Sequence, residues 1–126
     1  MANELILIVE DNEKNMKLVR DLLQVKGYRT LEAKTAEEGI SLAKAQLPQL
    51  VLMDIQLPGM DGIAALGHLR ADSKTKAVPV IAVTASAMTH DRQKIMSAGF
   101  DGYQSKPINV KEFLEAVRQM LDHPRQ

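Results

Sequence analysis

The stretch that most limits the fold is Leu50-Val51-Leu52-Met53-Asp54-Ile55-Gln56-Leu57-Pro58-Gly59-Met60-Asp61-Gly62. Four apolar residues, Leu50 to Met53, run directly into an acid, and proline and glycine follow at once. An apolar run this short, closed by turn residues, reads as a strand buried on both faces. Strands of that kind belong to parallel sheets, and in open α/β sheets ligands gather beyond the carboxyl ends of the strands. Asp54 stands at such an end.

The same alternation recurs along the chain. Leu5 to Val9 forms a first buried strand ending in Glu10-Asp11-Asn12. The spacing of Met16, Val19, Leu22 and Leu23 predicts a helix from about Glu13 to Lys26, with Gly27 as its stop. Tyr28 to Ala33 is a more polar strand, suited to a sheet edge. Thr35 followed by Glu38 is a capping-box pattern that opens a helix to Gln46. Beyond Gly62 a helix runs to about Ala71 with Ile63, Leu66 and Leu69 inward, weakened by Gly67. Val78 to Val83 forms a fourth strand, with Pro79 near its start, where a missing donor is tolerated. A short helix from about Met88 to Ala98 follows, its poor apolar face carried by Met88, Ile95 and Met96, and Gly99 stops it. Phe100 to Gln104 forms a fifth strand. Asn109 caps a last helix with Val110, Phe113, Leu114, Val117 and Leu121 inward, and 123–126 is a fraying tail. Five βα units with short connections mean an α/β fold with a parallel sheet and helices on both faces.

Bulk properties narrow the function. At 126 residues the chain is one domain, 1–126, with its core at about 4–122. Hydrophobic residues make up 45% and aromatics 3%, so the core is aliphatic. Lys plus Arg equals Asp plus Glu at 16 each, which argues against a nucleic-acid module. The absence of cysteine excludes thiolate metal sites and a cysteine nucleophile. There is no signal-peptide pattern and no apolar run long enough to span a membrane, so a cytoplasmic protein without membrane contact is expected.

In a parallel sheet the strand ends share one edge. Strand one delivers Glu10 and Asp11, strand three Asp54, strand four Thr84 and strand five Lys106. Taken singly, Asp11 reads as well as a helix cap, Thr84 as a cap or turn residue, and Lys106 as a solvated charge. Taken together, three carboxylates on one edge repel each other unless a cation joins them, and one lysine cannot neutralise three acids. Hard oxygen ligands without His or Cys suit Mg²⁺. A carboxylate is also a nucleophile that can form an aspartyl-phosphate. A phosphoryl group on Asp54 would need Mg²⁺, an ammonium such as Lys106, a hydroxyl donor such as Thr84 and a small neighbour such as Ala85.

Ile8-Val9-Glu10-Asp11-Asn12, Leu52 to Gly62, Val83-Thr84-Ala85 and Ser105-Lys106-Pro107, in this order, resemble the signature blocks of the receiver domain of two-component response regulators. The resemblance spans Ile6 to Leu121 and implies a flavodoxin-like (βα)5 fold with strand order 2-1-3-4-5. It implies that Asp54 is the phospho-acceptor and that Asp11, Asp54 and the Gln56 backbone carbonyl bind Mg²⁺, with Glu10 acting through metal-bound water. It further implies that Thr84 and Lys106 hold phosphoryl oxygens, that Thr84 and Tyr103 form the switch, and that Lys106-Pro107 is a cis peptide. Gln56 and Ser86 sit where the family tunes phosphoryl lifetime. The blocks around Glu10, Thr84 and Lys106 resemble most the stand-alone regulators of the DivK type and the receivers of hybrid kinases.

The expected function is therefore a signalling switch rather than a conventional enzyme. A histidine kinase or histidine phosphotransfer protein would donate the phosphoryl group. The fourth helix, fifth strand and fifth helix would then bind a downstream protein, with Ala116 and Met120 as candidate contacts. If the chain ends at Gln126, that binding is its output. Three rivals stand beside this reading. A constitutive interaction module would be expected to lack an acid, Thr84 or Lys106, and all are present. A phosphatase with an aspartyl nucleophile would usually carry a second acid two residues on, where Gln56 stands. A flavin-binding protein would have a Gly-, Ser- or Thr-rich loop after the first strand, where Glu10-Asp11 stands. His68, His90 and His123 are scattered and read as surface residues, so the phosphodonor histidine belongs to another protein.

Overall fold

Strands and helices alternate without exception in the computed structural model, which describes residues 3–85 and 89–123. In chain order they are β1 (Leu5–Val9), α1 (Glu13–Val25), β2 (Arg29–Ala33), α2 (Ala36–Gln46), β3 (Leu50–Asp54), α3 (Gly62–Ala71), β4 (Val80–Thr84), α4 (Thr89–Ser97), β5 (Gly102–Ser105) and α5 (Val110–Asp122). All strand pairings are parallel and the order is β2-β1-β3-β4-β5, as expected. Every residue of β3 and β4 is buried, whereas β2 and β5 at the edges are only partly so.

Alternation of side chains along each strand divides the core between two faces. Ile6, Ile8, Leu50, Leu52 and Ile81 meet α1 through Met16, Val19 and Leu23, and α5 through Phe113 and Val117. Leu7, Val9, Val51, Met53, Val80 and Ala82 meet α2 through Ile40 and Ala43, α3 through Leu66 and Leu69, and α4 through Ile95. Each fully buried aliphatic side chain of this kind contributes about 1.5–3 kcal/mol. No described helix is long and apolar enough to cross a membrane.

Local signals set the helix ends. Asn12, Thr35, Asp61 and Asn109 each accept the backbone N–H three residues on, from Asn15, Glu38, Ala64 and Glu112. The Glu38 carboxylate reaches back to the Lys34 N–H at 2.7 Å rather than to that of Thr35, so the capping box closes one residue early. Gly27 and Gly99 hold positive φ after their helices, as stops require. Leu47 ends α2 in the left-handed region at φ 51° without a glycine.

Several expectations need correction. Val110 is the first residue of α5 and is 46% exposed instead of facing inward. Met96 is exposed, so Ile95 is the buried residue among the described side chains of α4. Met120, expected off the inward stripe, packs against the cluster beneath α1 and α5, while Ala116 is half-buried. β2 begins at Arg29, β4 at Val80 after Pro79, and β5 at Gly102 after the buried Phe100. His68 and His123 are exposed. Ser86, Ala87, Met88 and residues 124–126 lie outside the described residues, as does the side chain of His90.

Candidate functional site

The carboxyl edge of the sheet gathers the acids because β1 and β3 are neighbours in register. Glu10 follows β1, and its N–H continues the ladder to the Ala33 carbonyl at 2.9 Å. Asp54 is the last residue of β3. Each is 4% exposed, whereas Asp11 is open to solvent. One oxygen from each of Glu10, Asp11 and Asp54 lies within 4.8 Å of the others. Asp11 is not the cap of α1, since Asn12 has that place, and its carboxylate turns to the cluster.

Lys106 reaches the same carboxyl ends from just beyond β5, the strand at one side of the sheet. Its N–H donates to the Thr84 carbonyl at 2.8 Å, extending the β4–β5 ladder beyond Ser105. The Lys106–Pro107 peptide is cis. The ammonium bridges Glu10 Oε1 at 2.9 Å and Asp54 Oδ2 at 3.1 Å. Asp54 Oδ1 accepts the Gln56 N–H at 2.9 Å, and Glu10 Oε2 accepts the Asn12 N–H at 3.1 Å. Thr84, 1% exposed, ends β4, the strand paired with β3.

Burial pushes the Glu10 carboxyl above the usual carboxylate range; Lys106 opposes that rise and Asp54 adds to it. Burial works against the Lys106 ammonium, but its bonds to Glu10 and Asp54 outweigh that cost and raise its pKa above the ordinary lysine value. Lys106 therefore stays charged at neutral pH and is the one countercharge that the described residues bring to the three acids. A donor set of carboxylate oxygens on a partly open edge, short of positive charge, fits a hard divalent cation such as Mg²⁺.

Tyr103 stands on the same edge strand. It pairs with Ala82, two residues before Thr84, so Tyr103 and Thr84 belong to one face of the sheet. The tyrosine is half-buried against the cluster under α3 and α4. The expected residues Glu10, Asp11, Asp54, Thr84 and Lys106 thus share one edge, with Gln56 beside Asp54 and Tyr103 one step back along β5.

Sequence reasoning missed the role of Gly62. A Cβ there would stand 2.7 Å from the Asp54 carbonyl oxygen and 2.9 Å from the Ile55 Cα. Its N–H donates to the Ile55 carbonyl at 3.0 Å, so the start of α3 rests directly on the chain behind Asp54. A glycine just inside a helix whose cap is Asp61 was the available signal. The bond between Arg70 and Asp101 at 2.8 Å, which ties α3 to the segment before β5, carried no local signal.

A family model described as the response regulator receiver domain matches residues 6–118. The polar-differentiation response regulator DivK of Brucella ovis is 45% identical over 116 residues, 92% of this chain and 94% of that protein. Among solved structures, the receiver domain of a sensor histidine kinase from Pseudomonas aeruginosa, crystallised with a magnesium ion coordinated in its active site cleft, is 32% identical. It has a TM-score of 0.89 and covers 96% of this chain and 99% of its own. A CheY-like receiver domain protein from Methanospirillum hungatei is 31% identical with a TM-score of 0.85, covering 96% and 95%.

Proposed function

This chain belongs to the response regulator receiver family, and from that premise we propose that Asp54 accepts a phosphoryl group, with Mg²⁺ bound by the acids beside it. The observation that carries the reading is the pair of buried carboxylates, Glu10 and Asp54, sharing the single Lys106 ammonium with Asp11 at hand. A fold stabilised for its own sake would not bury such a pair short of countercharge.

An oxygen of Asp54 attacks the phosphorus of a phosphohistidine on a histidine kinase or histidine phosphotransfer protein. The P–N bond breaks and its electron pair remains on the imidazole. Mg²⁺, when bound, would supply charge neutralisation for the transferring group. Asp11, Asp54 and the Gln56 backbone carbonyl would hold the cation, and Glu10 would act on it indirectly, from beyond those ligands. Lys106 can leave Asp54 for a phosphoryl oxygen without losing Glu10, because its ammonium already spans both acids. Thr84 supplies a hydroxyl to another oxygen. Its movement and that of Tyr103 then remodel α4, β5 and α5 as a surface for a downstream protein. The chain acts as a switch in two-component signalling and assists only its own phosphoryl chemistry.

Intact mass after incubation with Mg²⁺ and a small phosphodonor tests the assignment. One phosphoryl group should be gained by the wild type, with none in Asp54→Asn or without Mg²⁺. Full labelling of Asp54→Asn would overturn it.

A further inference from the structure

We infer that Arg92 couples the position of the Tyr103 ring to the seating of α4 on the sheet edge. Among the described side chains of α4, Arg92, Gln93, Lys94, Met96 and Ser97 are exposed and Ile95 is buried. Residues three apart share a helix face, so Arg92 stands on the side of α4 that Ile95 anchors. From there its guanidinium carbon reaches to 5.5 Å from the centre of the Tyr103 ring, within the range of cation–π attraction. The ring itself packs against the cluster that contains Ile95. Of the described side chains, α4 therefore grips this edge by one apolar anchor and one charge laid over an aromatic face. The second grip exists only while the ring keeps its place.

Coupling of this kind is reciprocal. A turn of the ring removes the partner of Arg92 and loosens α4, and loss of Arg92 loosens α4 and frees the ring. Arg92 is a positioning residue, acting through Tyr103 rather than on Asp54. Its contact with Tyr103 stands on the geometry alone; its part in signalling rests on the switch proposed above.

Amide hydrogen exchange over 89–97, referenced to α1 amides in the same sample, reads the grip in the full chain without any phosphodonor. Arg92→Gln should speed α4 exchange about 2- to 5-fold, the range of an exposed cation–π contact. Tyr103→Leu should do the same, Tyr103→Phe should not, and the Arg92→Gln/Tyr103→Leu pair should add nothing to either single change. In protein labelled with fluorotyrosine, Arg92→Gln should shift the Tyr103 resonance and leave that of Tyr28 in place. Unchanged α4 exchange in Arg92→Gln, or a double variant equal to the product of the singles, would overturn the coupling. Beryllofluoride with Mg²⁺ separates the two readings. A wild type whose α4 does not respond refutes the switch, while the exchange cycle still decides the role of Arg92.

Discussion

Gly62 and Gly67 lie in the same helix, and the same substitution should act on them with opposite sign. Both are glycine in a helix, where alanine is preferred by about 0.5–1 kcal/mol. At Gly67 an added Cβ meets nothing within 4 Å, so Gly67→Ala should gain that amount in full. At Gly62 the added atom meets the Asp54 carbonyl oxygen at 2.7 Å, the Ile55 Cα at 2.9 Å and the Met53 Cγ at 3.1 Å. Ordinary contact begins at 3.4 Å, so the start of α3 must retreat by about 0.7 Å from rigid backbone. That retreat strains the Gly62 N–H bond to Ile55 and the chain that aims Asp54. Overpacking of this kind costs about 1–3 kcal/mol, which exceeds the helical gain. Urea unfolding of the two variants beside the wild type should place Gly67→Ala above it and Gly62→Ala below it. Gly62→Ala should also take up phosphoryl group more slowly than Gly67→Ala. Equal stability of the two variants, or a gain in Gly62→Ala, would refute the claim that α3 rests on Asp54.

Further outcomes follow from charge and backbone geometry. The folded pKa of Glu10 lies above its ordinary value of 4.5, so its contribution to stability is present below pH 4.5 and lost as pH rises through the folded value; Glu10→Gln should therefore gain on the wild type as pH rises, in urea unfolding followed from pH 4 to 8. Glu4 is held down to about 2, mainly by its bond to Arg118 at 2.7 Å, so its contribution is complete above pH 4.5 and lost toward pH 2. Because the Arg118 side chain is 40% exposed, solvent screening limits the loss in Glu4→Gln at pH 7 to about 1 kcal/mol, and the gap to wild type should close across that acid window. Leu47 holds φ 51° while 56% exposed, so thermal unfolding should show Leu47→Gly more stable by about 0.5–1 kcal/mol.

The fold was legible because each strand announces itself. Leu5–Val9 and Leu50–Met53 are apolar without interruption, and the amphipathic helices between them leave little choice but a parallel sheet. The site was legible for the same reason, since residues that end parallel strands must share an edge, and Asp54, Thr84 and Lys106 do. Strand bounds slipped where the pattern mixes signals. Val78-Pro79 reads as strand by its valine, but β4 starts only at Val80, whose N–H is taken by the Asp101 carboxylate at 2.9 Å. That bond joins residues 21 apart and no local pattern foretells it. The same holds for Arg92 over Tyr103. A cation and an aromatic eleven positions apart meet only once α4 has folded back on β5.

The arrangement of charge and of loose packing on this sheet is not independent. Glu10 and Asp54 stand at the ends of the central strands β1 and β3, and both are buried. Their countercharge comes from the far edge, just beyond β5, a strand of four residues that is only partly buried. A group that bound Asp54 and drew the Lys106 ammonium onto itself would therefore pull on the edge, not on the centre. Because the Lys106 N–H is bonded to the Thr84 carbonyl, the pull also reaches the end of β4. The first described helix to feel that edge is α4, held there by Ile95 and by a charge over a tyrosine. Had the ammonium come from β1 or β3, the same chemistry would have been locked inside the core. Placing it on the edge lets a local change in charge reach the face where α4 lies against β5.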